Sequence, residues 1–192
     1  MRGYLLALFP VLLVLSLAMS AQQISGDYLE TRSADIYTGQ CFANGEVNLV
    51  GNEAILAWHV QGGSWDGVPL QGLTVAAAAQ QSAALVNFAR HMGGELLKNV
   101  QQVVSAPMEL VVNHEHHGSA MLRAGRFATI QTRGVGAKDH LCGNEETFYP
   151  PLTEMAHSMP AVALTDSYRG PGLGVSWDLH GKRSAFVGTF AR

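Results

Sequence analysis

Apolar residues along the chain fall into three patterns: one long run, several short alternating stretches, and one stretch with a helical period. The long run occupies residues 4–17 and follows Met1-Arg2-Gly3. It has the length of a signal h-region, is short for a membrane span, and has Arg2 as its positive flank. Ala18-Met19-Ser20-Ala21 supplies small residues for cleavage after Ser20 or Ala21. Residues 1–21 are therefore expected to be a secretory signal peptide and residues 22–192 a single globular domain. No second long apolar run follows, so no membrane span is expected after signal removal.

Alternating stretches predict strands over 24–30, 46–49, 54–60 and 73–77, with turns at Gly51-Asn52 and over 62–67. In the 54–60 stretch Leu56, Trp58 and Val60 share one face, and Ile55, Ala57 and His59 share the other. Both faces are largely apolar, the mark of an interior strand. The period then changes. Leu85, Phe88, Ala89 and Met92 fall at i, i+3, i+4 and i+7, which predicts a helix that Gly93-Gly94 can end. Leu96, Val100, Val103 and Val104 predict a second short helix, stopped before Pro107. Strand patterns return over 108–113, 121–122 and 127–132. Residues 173–179 and 184–190 predict a hairpin turning at His180-Gly181-Lys182. The expected fold is α+β, a mostly antiparallel sheet with two short consecutive helices packed on one side.

Composition narrows the function classes. The formal net charge is −3, becoming −4 when Arg2 is removed, and no Lys/Arg cluster is longer than Lys182-Arg183. Nucleic acid is therefore not an expected partner. Export would place the chain in the periplasm or outside the cell, where its two cysteines, Cys41 and Cys142, tend to form a disulfide. Closing a loop of about 100 residues would contribute about 4–5 kcal/mol on the chain-entropy account.

Gly26-Asp27-Tyr28-Leu29-Glu30, the Cys41 loop, Gly67-Val68-Pro69-Leu70-Gln71-Gly72-Leu73 and Met92-Gly93-Gly94-Glu95-Leu96 together are similar to the bacterial DUF1326 family, which has no assigned function. The resemblance spans about 24–191 and implies a fold more than an activity. Family members often carry several cysteines after the first strand; here Thr31-Arg32-Ser33-Ala34-Asp35 stands there, with Cys41 beyond.

Two constellations carry chemistry. In His140-Leu141-Cys142 an extended chain puts imidazole and thiol on one side. With Cys41 these could ligate copper or zinc, and His140 could alternatively activate Cys142 as a nucleophile. In Asn113-His114-Glu115-His116-His117 an extended chain would place His114 and His116 about 7 Å apart on one face. This is a weaker metal candidate formed by His114, His116 and His117, set against an exposed turn. No Gly-x-Ser-x-Gly, Walker or His-Glu-x-x-His pattern occurs. Trp65, between Ser64 and Asp66 in a turn, is a candidate surface for a sugar or protein. The leading expectation is a non-catalytic binding or accessory protein with a copper or zinc site at Cys41, His140 and Cys142. The alternatives are a thiol-dependent hydrolase or oxidoreductase using Cys142 and His140, and a structural envelope domain stapled by Cys41 and Cys142 that meets a protein partner.

Overall fold

The computed structural model describes residues 23–37, 53–80, 102–140 and 147–192. These form β1 (Ser25–Arg32), β2 (Glu53–Gly62), β3 (Ser64–Trp65), β4 (Val68–Pro69), β5 (Thr74–Gln80), β6 (Met108–Asn113), β7 (Ser119–Ala124), β8 (Ala128–Gly134), β9 (His157–Tyr168), β10 (Trp177–Leu179) and β11 (Lys182–Ala191), with one 3-10 turn at Ala137–Asp139. The main sheet runs β5-β2-β1-β11-β9-β8-β7-β6, with β10 also paired to β9. Every pairing in it is antiparallel. The sheet curls until β6 comes back against β5, β1 and β2, giving a nearly closed, barrel-like wall.

This corrects the α+β expectation with two helices on one side of the sheet. The 85–101 part of the helical pattern lies outside the described residues. Val103 and Val104, expected to end the second helix, are in irregular chain, and Val103 is 86% exposed. The physical reason lies in the curl. An open sheet needs a second layer to cover its apolar face; a closing sheet covers that face with its own opposite wall. One buried cluster draws on Leu29, Ile55, Leu110, Leu122, Ile130, Ala163 and Val187, from seven strands around the wall. Alanine fills many inner positions (Ala57, Ala120, Ala124, Ala128, Ala161, Ala163 and Ala185). An eight-stranded wall leaves room for little more than its own side chains, and small ones allow it to tighten.

The outer face of β1, β2 and β11 is also apolar. Tyr28, Leu56, Val60 and Phe190 pack there beneath Leu70, Leu152 and Met155. This explains why both faces of β2 read as apolar. The chain at 150–155 is tied down by Glu30, fully buried on the outer face of β1. Glu30 Oε2 accepts hydrogen bonds from the Tyr28 hydroxyl and the Leu152 amide, both at 2.8 Å, and Oε1 accepts from Arg32 Nε at 2.6 Å. Burial, with the Glu30 carboxylate alongside, pushes the Tyr28 phenol well above its ordinary pKa.

The expected hairpin of 173–179 with 184–190 does not form. β10 and β11 both pair with β9, one after the other along its length, and Gly181 (φ 65°) joins them. β11 then continues as the strand between β9 and β1. The separate small hairpin β3–β4 turns at Asp66 and Gly67, both with positive φ, the type I′ requirement that an Asp-Gly pair meets. No helix among the described residues is long and apolar enough to cross a membrane. The expected signal peptide and the 46–49 strand lie outside the described residues.

Candidate functional site

Two places on the barrel collect chemistry-bearing side chains. The first lies on the outer flank beyond the end of β1. Tyr37 forms an isolated antiparallel bridge with Phe148, and the Tyr149 amide donates to the Ile36 carbonyl at 2.7 Å. Their rings meet edge to face, and Phe148 also packs on buried Phe186. Arg183 stacks its guanidinium over Tyr37, pairs with Asp35 at 2.9 Å, and donates to the Asp139 carbonyl at 3.2 Å. Arg133 grips the Asp139 carboxylate with two bonds of 2.6 and 2.7 Å, which holds it well below the usual carboxylate range. His140 follows Asp139 directly, so this network fixes its backbone close to Asp35 and Tyr37. Cys41 and Cys142 lie outside the described residues, and so does their expected disulfide.

The second place is the inner face of the barrel at the opening where β1 begins. Gly26 permits it: a Cβ there would collide with the His59 carbonyl, so only glycine lets β1 sit this tightly on β2 at their bulge. The register then lines Thr74, His59, Asp27, Thr189 and His157 across β5, β2, β1, β11 and β9. Asp27 is 4% exposed. Its Oδ2 accepts from Gln61 Nε2 at 2.9 Å. Its Oδ1 is buried without a hydrogen-bond partner, although His114 Nε2 stands 3.3 Å away. Burial raises the Asp27 pKa, with the neighbouring imidazoles of His114 and His59 acting against that rise. His59 Nδ1 is 2.9 Å from Thr74 Oγ1.

The structure thus separates the three histidines expected to act together. Asn113 Oδ1 accepts from the amides of Glu115 and His116, forming a tight turn rather than the extended chain that would align His114 with His116. His114 points to Asp27, while His116 and His117 are exposed. Among the described residues no three His, Cys, Asp or Glu side chains converge as they stand on one ion. Trp65 is 66% exposed on β3, beside the hairpin turn.

Sequence reasoning assigned no role to Asp27 or to Asp166. The latter is buried inside the opposite end of the barrel, where its Oδ1 accepts from Trp177 Nε1 at 2.9 Å. Trp177 in turn stacks on Tyr168 at 4.7 Å. The available signal for Asp27 was its phase: it shares the inward parity of Leu29 and Thr31 within β1. Comparison of the chain with family profiles, with curated proteins and with solved structures found no match.

Proposed function

We propose that this is a non-catalytic binding or accessory protein that takes a copper or zinc ion at Cys41, His140 and Cys142. The supporting observation is the Tyr37–Phe148 bridge. Cys41 follows Tyr37 by four residues, and Cys142 precedes Phe148 by six and follows His140 by two. Covalent reach alone keeps Cys41 within about 14 Å of Tyr37 and Cys142 within about 7 Å of His140. The Arg183 network holds the His140 backbone on the same flank. Two thiolates and an imidazole form a donor set suited to copper or zinc. In the oxidising compartment expected for an exported chain, the same two sulfurs can close a disulfide, so metal loading belongs to the reduced protein.

The test is metal titration of the reduced, full-length mature protein, followed by native mass spectrometry. The expected result is one fewer bound ion in Cys142→Ser than in the parent protein. Undiminished stoichiometric binding at that affinity in the Cys142→Ser protein would remove these residues from the site. A mass lower by two hydrogens in the untreated protein would identify the disulfide state.

A further inference from the structure

Residues 170–176 connect β9 to β10 at the end of the barrel that holds Asp166. Both ends of the connection are fixed. The Arg169 amide donates to the Phe127 carbonyl at 2.7 Å, and Trp177 pairs with Tyr168. Between them Leu173 packs on the inner apolar cluster, while Pro171, Gly172 and Gly174 are exposed. Gly172 (φ 98°) and Gly174 (φ 68°) flank the leucine, a backbone that glycine adopts without strain. The Tyr168 hydroxyl holds the connection down by donating to the Pro171 carbonyl at 2.8 Å. The Tyr168 ring stacks on Trp177, and Trp177 Nε1 donates to Asp166 Oδ1. Two aromatic rings thus join the connection to the buried carboxyl.

We propose that this connection is a pH-operated cover on the barrel end, shut while Asp166 is protonated and lifting Leu173 off the core when Asp166 ionises. It acts independently of the cysteine flank.

Hydration drives it. A buried carboxylate is costly unless donors or water reach both oxygens. Trp177 serves Oδ1, whereas Oδ2 is buried without a bonded partner, with the Thr31 hydroxyl nearby. The groups around Asp166 are Thr31 from β1, Trp177 and Asp178 from β10 and Lys182 from β11, and its partner on β8 is the apolar Ile130. Lys182 Nζ is engaged by the Ser33 carbonyl at 2.7 Å, and Asp178 by Arg169 and His180. Burial is the largest influence on the carboxyl and raises it from 3.8 to about 6, over the lowering influence of Trp177, Thr31 and Lys182. Lifting Leu173 admits water to Oδ2 while Trp177 stays on Oδ1. That removes the main raising influence, so the open form gives up the proton more readily than the shut form. The shut form therefore has its full advantage below the ordinary carboxylate value and loses it as the pH rises through about 6. With the open form at the ordinary value, the open population rises about tenfold between pH 5 and pH 8.

The experiment uses the full chain with isotopically labelled methyl groups. Relaxation of the Leu173 methyl protons by a soluble gadolinium chelate reads how far that side chain meets solvent. It should rise between pH 5 and pH 8 with the about tenfold gain in open population. In Asp166→Asn it should stay at its pH 5 level throughout. Tyr168→Phe keeps the ring on Trp177 but releases Pro171, so it should raise the relaxation already at pH 5. A parent signal that is the same at pH 5 and pH 8 would overturn the proposal. So would an equal rise in Asp166→Asn, which would assign the titration to another group such as His180, or a Tyr168→Phe signal equal to the parent's at pH 5. A rise shared by the core methyls of Leu122 and Ile130 would mean general loosening of the barrel and would also refute a local cover.

Discussion

Replacing Asp166 by Asn should make the protein more stable at neutral pH and leave it unchanged in acid. Asp166 sits inside the barrel with 1% of its surface exposed. Trp177 Nε1 donates to Oδ1, while Oδ2 and the nearby Thr31 hydroxyl are both buried without hydrogen-bond partners. Burial raises the carboxyl from 3.8 to about 6, against the lowering influence of Trp177, Thr31 and Lys182, with Asp178 adding slightly to the rise. The Thr31 hydroxyl can donate to the carboxylate and so favours the ionised form, but burial outweighs it. The native state therefore binds this proton more tightly than the unfolded chain does. The resulting stabilisation is complete below about pH 4 and is lost as the pH rises through about 6. At about 1.4 kcal/mol for each tenfold in proton affinity, the span corresponds to about 3 kcal/mol. Asparagine keeps the acceptor for Trp177 and supplies a permanent donor toward Thr31. Urea unfolding of both proteins from pH 4 to 8 should show curves that agree at the acid end. They should separate by up to about 3 kcal/mol in favour of Asp166→Asn at pH 8. A difference independent of pH, or a variant less stable at pH 8, would refute the reasoning.

Glu30→Ala should destabilise the fold by about 3–5 kcal/mol, because it strands Arg32, the Tyr28 hydroxyl and the Leu152 amide. Chemical denaturation measures this directly, and limited proteolysis should find new cleavage at 147–155; a loss under about 1 kcal/mol would mean that Glu30 is not what fastens this segment. Gly26→Ala should cost about 1–3 kcal/mol by pushing β1 away from the His59 carbonyl. A variant with unaltered stability would show that the close approach is not required.

Part of this architecture was readable in advance. Alternation alone put Ile55, Ala57 and His59 on one face and Leu56, Trp58 and Val60 on the other; the structure keeps that division and turns the first face inward and the second outward. The 108–113, 121–122 and 127–132 patterns fall on β6, β7 and β8, since neighbours in sequence pair through short turns. β9 gave no such signal. Its twelve residues include Pro160 and the polar run Thr165-Asp166-Ser167, which argue against a central strand. Pro160 is tolerated because β8 pairing begins only at Ala161, so β9 has one paired neighbour at that point. The misread hairpin has a related cause. His180-Gly181-Lys182 has the composition of a turn, but the long β9 offers room for β10 and β11 in succession on one edge.

The sequence by itself determined which residues share a face, because a strand's two-residue period is local. Only the tertiary structure decided that the described strands curl into a nearly closed, barrel-like wall. Closure follows from the summed twist of antiparallel strands and the small side chains inside them, which no single stretch of sequence displays. That same closure brings β6 across to β1 and sets His114 beside Asp27, 87 positions away in the chain.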